Sequence, residues 1–185
     1  IYLQHHKKGV AKMMRGNQFF REIKENAWNA ELRIKEYEKF NTQVQVVCTI
    51  PVMFSYWAKP FDCLELSKFL NDHIAELIIK HPKNYLGLGT IPMQDTELAI
   101  QELERCKEIG LQGIQIGSNI EDLNLNEERF FPIFEACEKL GMALLVHPWN
   151  MMGQKHMQRY WLPWLVGMPA ETSRAICSMI FGGIF

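Results

Sequence analysis

In Leu144-Leu145-Val146-His147-Pro148-Trp149 an apolar run rises to a single histidine, and a proline then stops the strand. Parallel α/β folds place their chemistry at the carboxyl edge of the sheet, which is where such a histidine sits. A neutral imidazole there serves as a metal ligand or a proton carrier; the alternative is a hydrogen-bonded structural residue. Behind it lies a loop carrying Trp149, Met151, Met152, Tyr160, Trp161 and Trp164, too many large side chains for a solvated connection. They suit the wall of a small-molecule pocket, a plug over a barrel mouth or a subunit contact, and these readings are compatible.

Two further places hold chemically capable residues. Arg21 stands among aromatics in Phe19-Phe20-Arg21-Glu22-Ile23. Its guanidinium fork suits bidentate capture of a carboxylate; the alternative is a surface pair with Glu22 or Glu25. His5 and His6 are adjacent in a strand-like segment, so they point to opposite faces and do not share one metal ion.

The elements that must position these residues alternate in type. Residues 43–50 are β-branched and end at Pro51, which reads as a strand. Asp62 opens a helix to about Lys80, with Leu66, Phe69, Leu70, Ile74, Leu77 and Ile78 on one face. Residues 85–92 form the next strand, whose two glycines suit crowding by neighbours. Asp95 caps a helix reaching Ile109, with Ala99, Leu103 and Cys106 as its buried stripe, and Gly110 ends it. A short strand at 113–117, a polar loop, a helix from near Pro132 to Leu140 and a strand at 142–149 complete the pattern. Residues 29–40 and 170–180 read as further helices, with 150–169 a long loop between the last strand and the last helix.

These crossovers imply a parallel sheet. The chain has no GxGxxG and no GxxxxGK[ST], which argues against a nucleotide-binding sheet. A (β/α)8 TIM barrel fits better, and 185 residues fall short of the roughly 250 typical of that fold. The expected fold class is therefore α/β, a partial (β/α)8 barrel of about strands two to five. Residues 1–24 read as a small antiparallel β insertion, with strands at 2–6 and 18–23 around a basic turn at Gly16-Asn17. Residues 25–185 supply the barrel units of a single, incomplete domain.

Composition bounds the rest. The chain is 48% hydrophobic and 22% charged, as a globular protein is. No apolar run is long enough to span a bilayer, and the first residues lack the apolar region of a signal peptide. The net charge of −1 hides an asymmetry: Lys7, Lys8, Lys12, Arg15, Arg21 and Lys24 face only Glu22 in residues 1–24, a local balance of +5. Such a segment can face nucleic acid, an acidic membrane or an anionic small molecule, or is a solvated face; its aromatics do not interleave as base stacking requires, so nucleic acid is the weakest of these. The cysteine count is five and no CxxC occurs, which points to a reducing, cytosolic setting without a disulfide framework. The first residue is not Met and the end, Met179-Ile180-Phe181-Gly182-Gly183-Ile184-Phe185, is an open apolar run, so the chain reads as a fragment of a longer protein.

Several stretches carry a resemblance. Leu3-Gln4-His5-His6, Ile50-Pro51-Val52-Met53-Phe54-Ser55-Tyr56-Trp57-Ala58-Lys59-Pro60, Gly87-Leu88-Gly89-Thr90, Val146-His147-Pro148-Trp149 and Tyr160-Trp161-Leu162-Pro163-Trp164-Leu165-Val166-Gly167-Met168-Pro169-Ala170-Glu171-Thr172 closely resemble the 2-amino-3-carboxymuconate-6-semialdehyde decarboxylase family. These are metal-dependent carboxy-lyases of the amidohydrolase superfamily, acting in the kynurenine branch of tryptophan breakdown.

The resemblance implies a zinc ion at the carboxyl mouth of a (β/α)8 barrel. Its ligands in the family are an HxH pair on the first strand, a histidine on the fifth and an aspartate on the eighth. His147 matches the third histidine; the HxH pair is expected before Ile1, and the aspartate and a general acid/base histidine beyond Phe185. Arg21 matches the substrate-carboxylate arginine, and Met151 and Trp164 match pocket residues. Asn150 departs from the aspartate that often follows the tryptophan, a position that is not a ligand. In the family, zinc-activated water adds to a carbon–carbon double bond of the substrate and carbon dioxide leaves from the adjacent carbon. The implied partner is a small carboxylated substrate, with no nucleic acid and no membrane, and the parent enzyme is expected to be a cytosolic homodimer. The alternatives are another amidohydrolase-type decarboxylase or hydrolase, and a catalytically dead truncated product.

Overall fold

The computed structural model describes residues 2–185. They form two compact units, one running to Gln45 and the other from Val46 to Phe185.

The first unit is a three-stranded antiparallel meander followed by a helix. Its strands are β1 (Tyr2–Lys7), β2 (Val10–Arg15) and β3 (Gln18–Lys24), in that order. The turn at Gly16-Asn17 joins β2 to β3, and a middle strand lies where only a turn was expected. Val10-Ala11-Lys12-Met13-Met14-Arg15 contains one β-branched residue, so its propensity is poor; it becomes a strand because β1 and β3 pair with it on both sides. Its inward residues Ala11 and Met13 are buried. Helix α1 (Ala30–Glu38) is capped by Asn29, whose side chain accepts from the Leu32 amide at 3.0 Å.

The second unit is built by β-α alternation: β4 (Gln45–Val47), α2 (Pro60–Lys80), β5 (Tyr85–Gly89), α3 (Thr96–Glu108) and β6 (Gly113–Gly117). A small hairpin of β7 (Asn119–Ile120) and β8 (Leu123–Asn124) follows, then α4 (Phe131–Leu140), β9 (Ala143–His147) and α5 (Met168–Phe181). The sheet order is β4-β5-β6-β9, and β5–β6 and β6–β9 pair in parallel. Each strand lies beside the one before it without reversal. A doubly wound sheet reverses at a switch point; a (β/α)8 barrel does not. The unit is part of such a barrel.

Local signals placed most boundaries. Asp95 caps α3 by accepting from the Leu98 amide at 3.0 Å, and Gly141 closes α4 with φ of 62°. Three expectations are corrected. The first barrel strand is shorter than 43–50, because Pro51 opens a 3-10 turn over Pro51–Met53. Phe69 of α2 is 72% exposed; the buried face instead carries Cys63, Leu64, Ser67, Asn71, Ile74 and Ala75. The stretch 150–169 is partly helical, with a 3-10 turn at Gln154–His156 and a π-helical turn at Pro163–Gly167 leading into α5.

The polar members of that α2 face explain the correction. Asn71 is fully buried and binds the exit of β5 from both sides: its Oδ1 accepts from the Thr90 amide at 2.8 Å and its Nδ2 donates to the Thr90 carbonyl at 2.8 Å. Nδ2 also reaches buried Glu102 of α3 at 2.7 Å, whose charge is matched by Arg105 at 2.9 Å. The helices can come this close because β5 has no side chains at 87 and 89. A Cβ on Gly87 would lie 2.6 Å from Ile74 and Ile78, and one on Gly89 2.6 Å from the Cys106 sulfur.

Candidate metal and substrate site

The register decides which way His147 points. Leu88 pairs with Gly113, Gly113 with Ala143, and Gly117 with His147. Because side chains alternate, Leu88, Gln115, Leu145 and His147 share one face. Ile114, Ile116, Leu144 and Val146 take the other, where they pack in the core formed with the helices. His147 thus stands on the helix-free face, the inner side of a barrel, at the carboxyl end of β9.

The ring is half-buried, and its Nδ1 lies 2.8 Å from the Pro148 carbonyl. A carbonyl only accepts, so the nitrogen facing it is the one that donates, and in the neutral ring this leaves the lone pair on Nε2. That is the arrangement of a histidine prepared to ligate through Nε2, with the other nitrogen held by an oxygen. Among the described residues no group of three or more His, Cys, Asp or Glu side chains converges.

An aromatic cluster packs at the end of β6. Phe54 stacks on Tyr56 with centroids 5.4 Å apart and meets Trp149 edge-on at 5.8 Å. The Tyr56 hydroxyl accepts from the Gly117 amide at 3.0 Å. Burial pushes the phenol far above its ordinary range, so it stays neutral.

The segment after His147 is fastened by polar groups. The Ser118 amide donates to the His147 carbonyl at 2.9 Å, and the Trp149 amide donates to Ser118 Oγ at 2.9 Å. Asn119 Nδ2 donates to the Trp149 carbonyl at 2.6 Å. Glu171, fully buried in the first turn of α5, lies 3.1 Å from Ser118 Oγ, 3.0 Å from Asn119 Nδ2 and 3.1 Å from the Met152 amide. Arg174 pairs with the same carboxylate. Sequence reasoning did not single out Glu171, Ser118 or Asn119; a carboxylate in a helix's first turn ordinarily signals only solvent and dipole.

Met151 is half-buried in this fastened loop, and its sulfur lies against Gly167. Trp164 is 50% exposed on the π-helical turn and packs on Trp161 with centroids 4.8 Å apart. Arg21 lies on β3 of the first unit, exposed, with its guanidinium 5.6 Å from the Phe20 ring centre. Its candidate surface partners are otherwise engaged: Glu22 pairs with Lys7 at 3.8 Å, and Glu25 accepts from Asn29 at 3.0 Å. His5 meets the Trp28 ring edge-on.

Comparison with known proteins adds three findings. The amidohydrolase family model matches residues 60–185. The whole chain is 57% identical to a 2-amino-3-carboxymuconate-6-semialdehyde decarboxylase from Dictyostelium discoideum and 32% identical to one from Caenorhabditis elegans, covering 52% and 58% of those proteins. The chain therefore spans little more than half the length of these relatives. Among solved structures, 5-carboxyvanillate decarboxylase from Sphingomonas paucimobilis superposes with a TM-score of 0.78 at 27% identity, over 85% of this chain and 48% of that one. A 5-carboxyvanillate decarboxylase from Novosphingobium aromaticivorans, solved with manganese, superposes with a TM-score of 0.65 at 27% identity, over 78% and 44%.

Proposed function

The chain belongs to the amidohydrolase family, and from that premise we propose that its protein is a zinc-dependent decarboxylase of 2-amino-3-carboxymuconate 6-semialdehyde. The observation that carries the reading is His147: a half-buried imidazole at the carboxyl end of a barrel strand, with Nδ1 occupied by a carbonyl and Nε2 free to ligate. When bound, zinc supplies Lewis-acid chemistry and acidifies water to a pKa of about 7. The named relatives support the substrate, and the neighbour solved with manganese supports a divalent metal.

The chain's own residues take separate roles. His147 holds the metal through Nε2. Arg21 holds a substrate carboxylate by its guanidinium fork. Met151 and Trp164 line the pocket and keep water from the reacting carbons. The protein works in the cytosol, in the kynurenine branch of tryptophan breakdown, as a homodimer.

The test is to supply the full protein, zinc-loaded, with 2-amino-3-carboxymuconate 6-semialdehyde and to follow carbon dioxide release. Stoichiometric carbon dioxide supports the reading. Release only from γ-resorcylate or 5-carboxyvanillate would reassign the substrate to an aromatic acid. Activity with manganese and none with zinc would reassign the metal.

A further inference from the structure

We propose that Glu171 is a positioning residue for His147, acting through Ser118 and the Pro148–Trp149 peptide to keep the imidazole proton on Nδ1. The inference rests on the reading of His147 as a metal ligand and says how the chain prepares it.

The argument follows one line of contacts. The peptide between Pro148 and Trp149 is a rigid plane, with its N–H and C=O pointing in opposite directions. Its N–H donates to Ser118 Oγ at 2.9 Å; its carbonyl faces His147 Nδ1 at 2.8 Å. Fixing one end of the plane therefore aims the other. The Ser118 hydroxyl has one proton and accepts from Trp149, so that proton has two acceptors within reach, Glu171 Oε1 at 3.1 Å and the Trp149 carbonyl at 3.2 Å, and the carbonyl is already served by Asn119 Nδ2 at 2.6 Å. A carboxylate only accepts, which sets the direction of that hydroxyl and turns its lone pair to the Trp149 amide. Fully buried Glu171 is paired by Arg174 and surrounded by three other donors, so each of its oxygens is engaged.

The backbone around this plane is over-determined. The carbonyls of His147 and Trp149 and the amides of Trp149 and Met152 each have a partner on β6's exit or on Glu171. Between them Asn150 holds a left-handed φ of 43°, a conformation uphill for a residue with a Cβ and least so for Asn. A strained residue of this kind persists only where its surroundings fix it. A clasp needed merely to close a loop would not have to end on a ring nitrogen.

The experiment uses the full protein labelled with 15N-histidine, with His147→Asn to identify the resonance. In metal-free protein at a pH of about 8.5, above the ordinary histidine range, wild-type His147 is expected as the Nδ1–H tautomer. Ser118→Ala and Glu171→Gln are expected to give mixed tautomers and to weaken zinc affinity about tenfold or more, in the range seen when a ligand's supporting partner is removed. Ser118→Thr, which keeps the hydroxyl, is expected to retain both properties. Wild-type tautomer and zinc affinity in a folded Ser118→Ala protein would overturn the proposal, even if its melting temperature fell. Should Glu171→Gln fail to fold, Ser118→Ala, which removes one oxygen, decides the matter. A wild-type protein that binds no zinc, but loses the Nδ1–H tautomer in Ser118→Ala, supports the positioning line and overturns only the ligand reading.

Discussion

Gly117 of β6 is the cross-strand partner of His147 on β9, and a side chain at Gly117 would crowd the Tyr56 ring and the Trp149 Cβ. A Cβ there would lie 3.1 Å from Tyr56 Cε2, 3.1 Å from the Asn119 carbonyl and 3.3 Å from Trp149 Cβ. Gly117→Val should therefore destabilise the fold by about 1–3 kcal/mol, the cost of forcing extra carbon into a packed site. Urea unfolding measures it as a lower midpoint at unchanged slope. An unchanged midpoint would show that the rings yield freely.

His147→Ala should abolish decarboxylation and lower bound metal together. The metal of a catalytic site of this kind is held by about three protein ligands, so losing one removes a large share of the binding. Elemental analysis beside the activity assay checks it. A variant with full metal and full activity would return His147 to a structural role.

Arg21→Ala should leave metal content unchanged and reduce kcat/KM for the carboxylated substrate. Loss of a charge-assisted contact should cost about 1.5–3 kcal/mol in transition-state binding. Arg21→Lys should recover little of it, because an ammonium cannot reproduce the planar fork. Unaltered kcat/KM in Arg21→Ala would remove the clamp.

Cys63, Cys106 and Cys137 should resist alkylation in the native protein. All three are buried, and burial raises each thiol's pKa, that of Cys137 to about 11. The thiolate is the reacting form, so at about pH 8 little is present even before access is considered. Iodoacetamide labelling read by mass spectrometry should modify these three only after unfolding in urea. Native labelling of Cys106 at the unfolded rate would contradict the packing of α2 on α3.

The sequence alone determined whatever depends on neighbours a few residues apart. The cap at Asp95, the strand at 113–117 and the apolar run ending at His147 are local signals, and each appears where it was expected. The β-α alternation they mark was enough to reach a partial barrel, because short connections and parallel pairing leave few arrangements. The tertiary structure decided what depends on partners far along the chain. β2 is a strand because two others flank it, despite its weak propensity. Asn71 belongs to the core because Thr90 and Glu102, 19 and 31 residues away, satisfy its amide. Glu171 reads as an ordinary helix-start carboxylate until Ser118 and Asn119, 53 and 52 residues earlier, close around it. A polar side chain can be buried only where its hydrogen-bonding partners are brought to it, and no local pattern of hydropathy records where those partners will be.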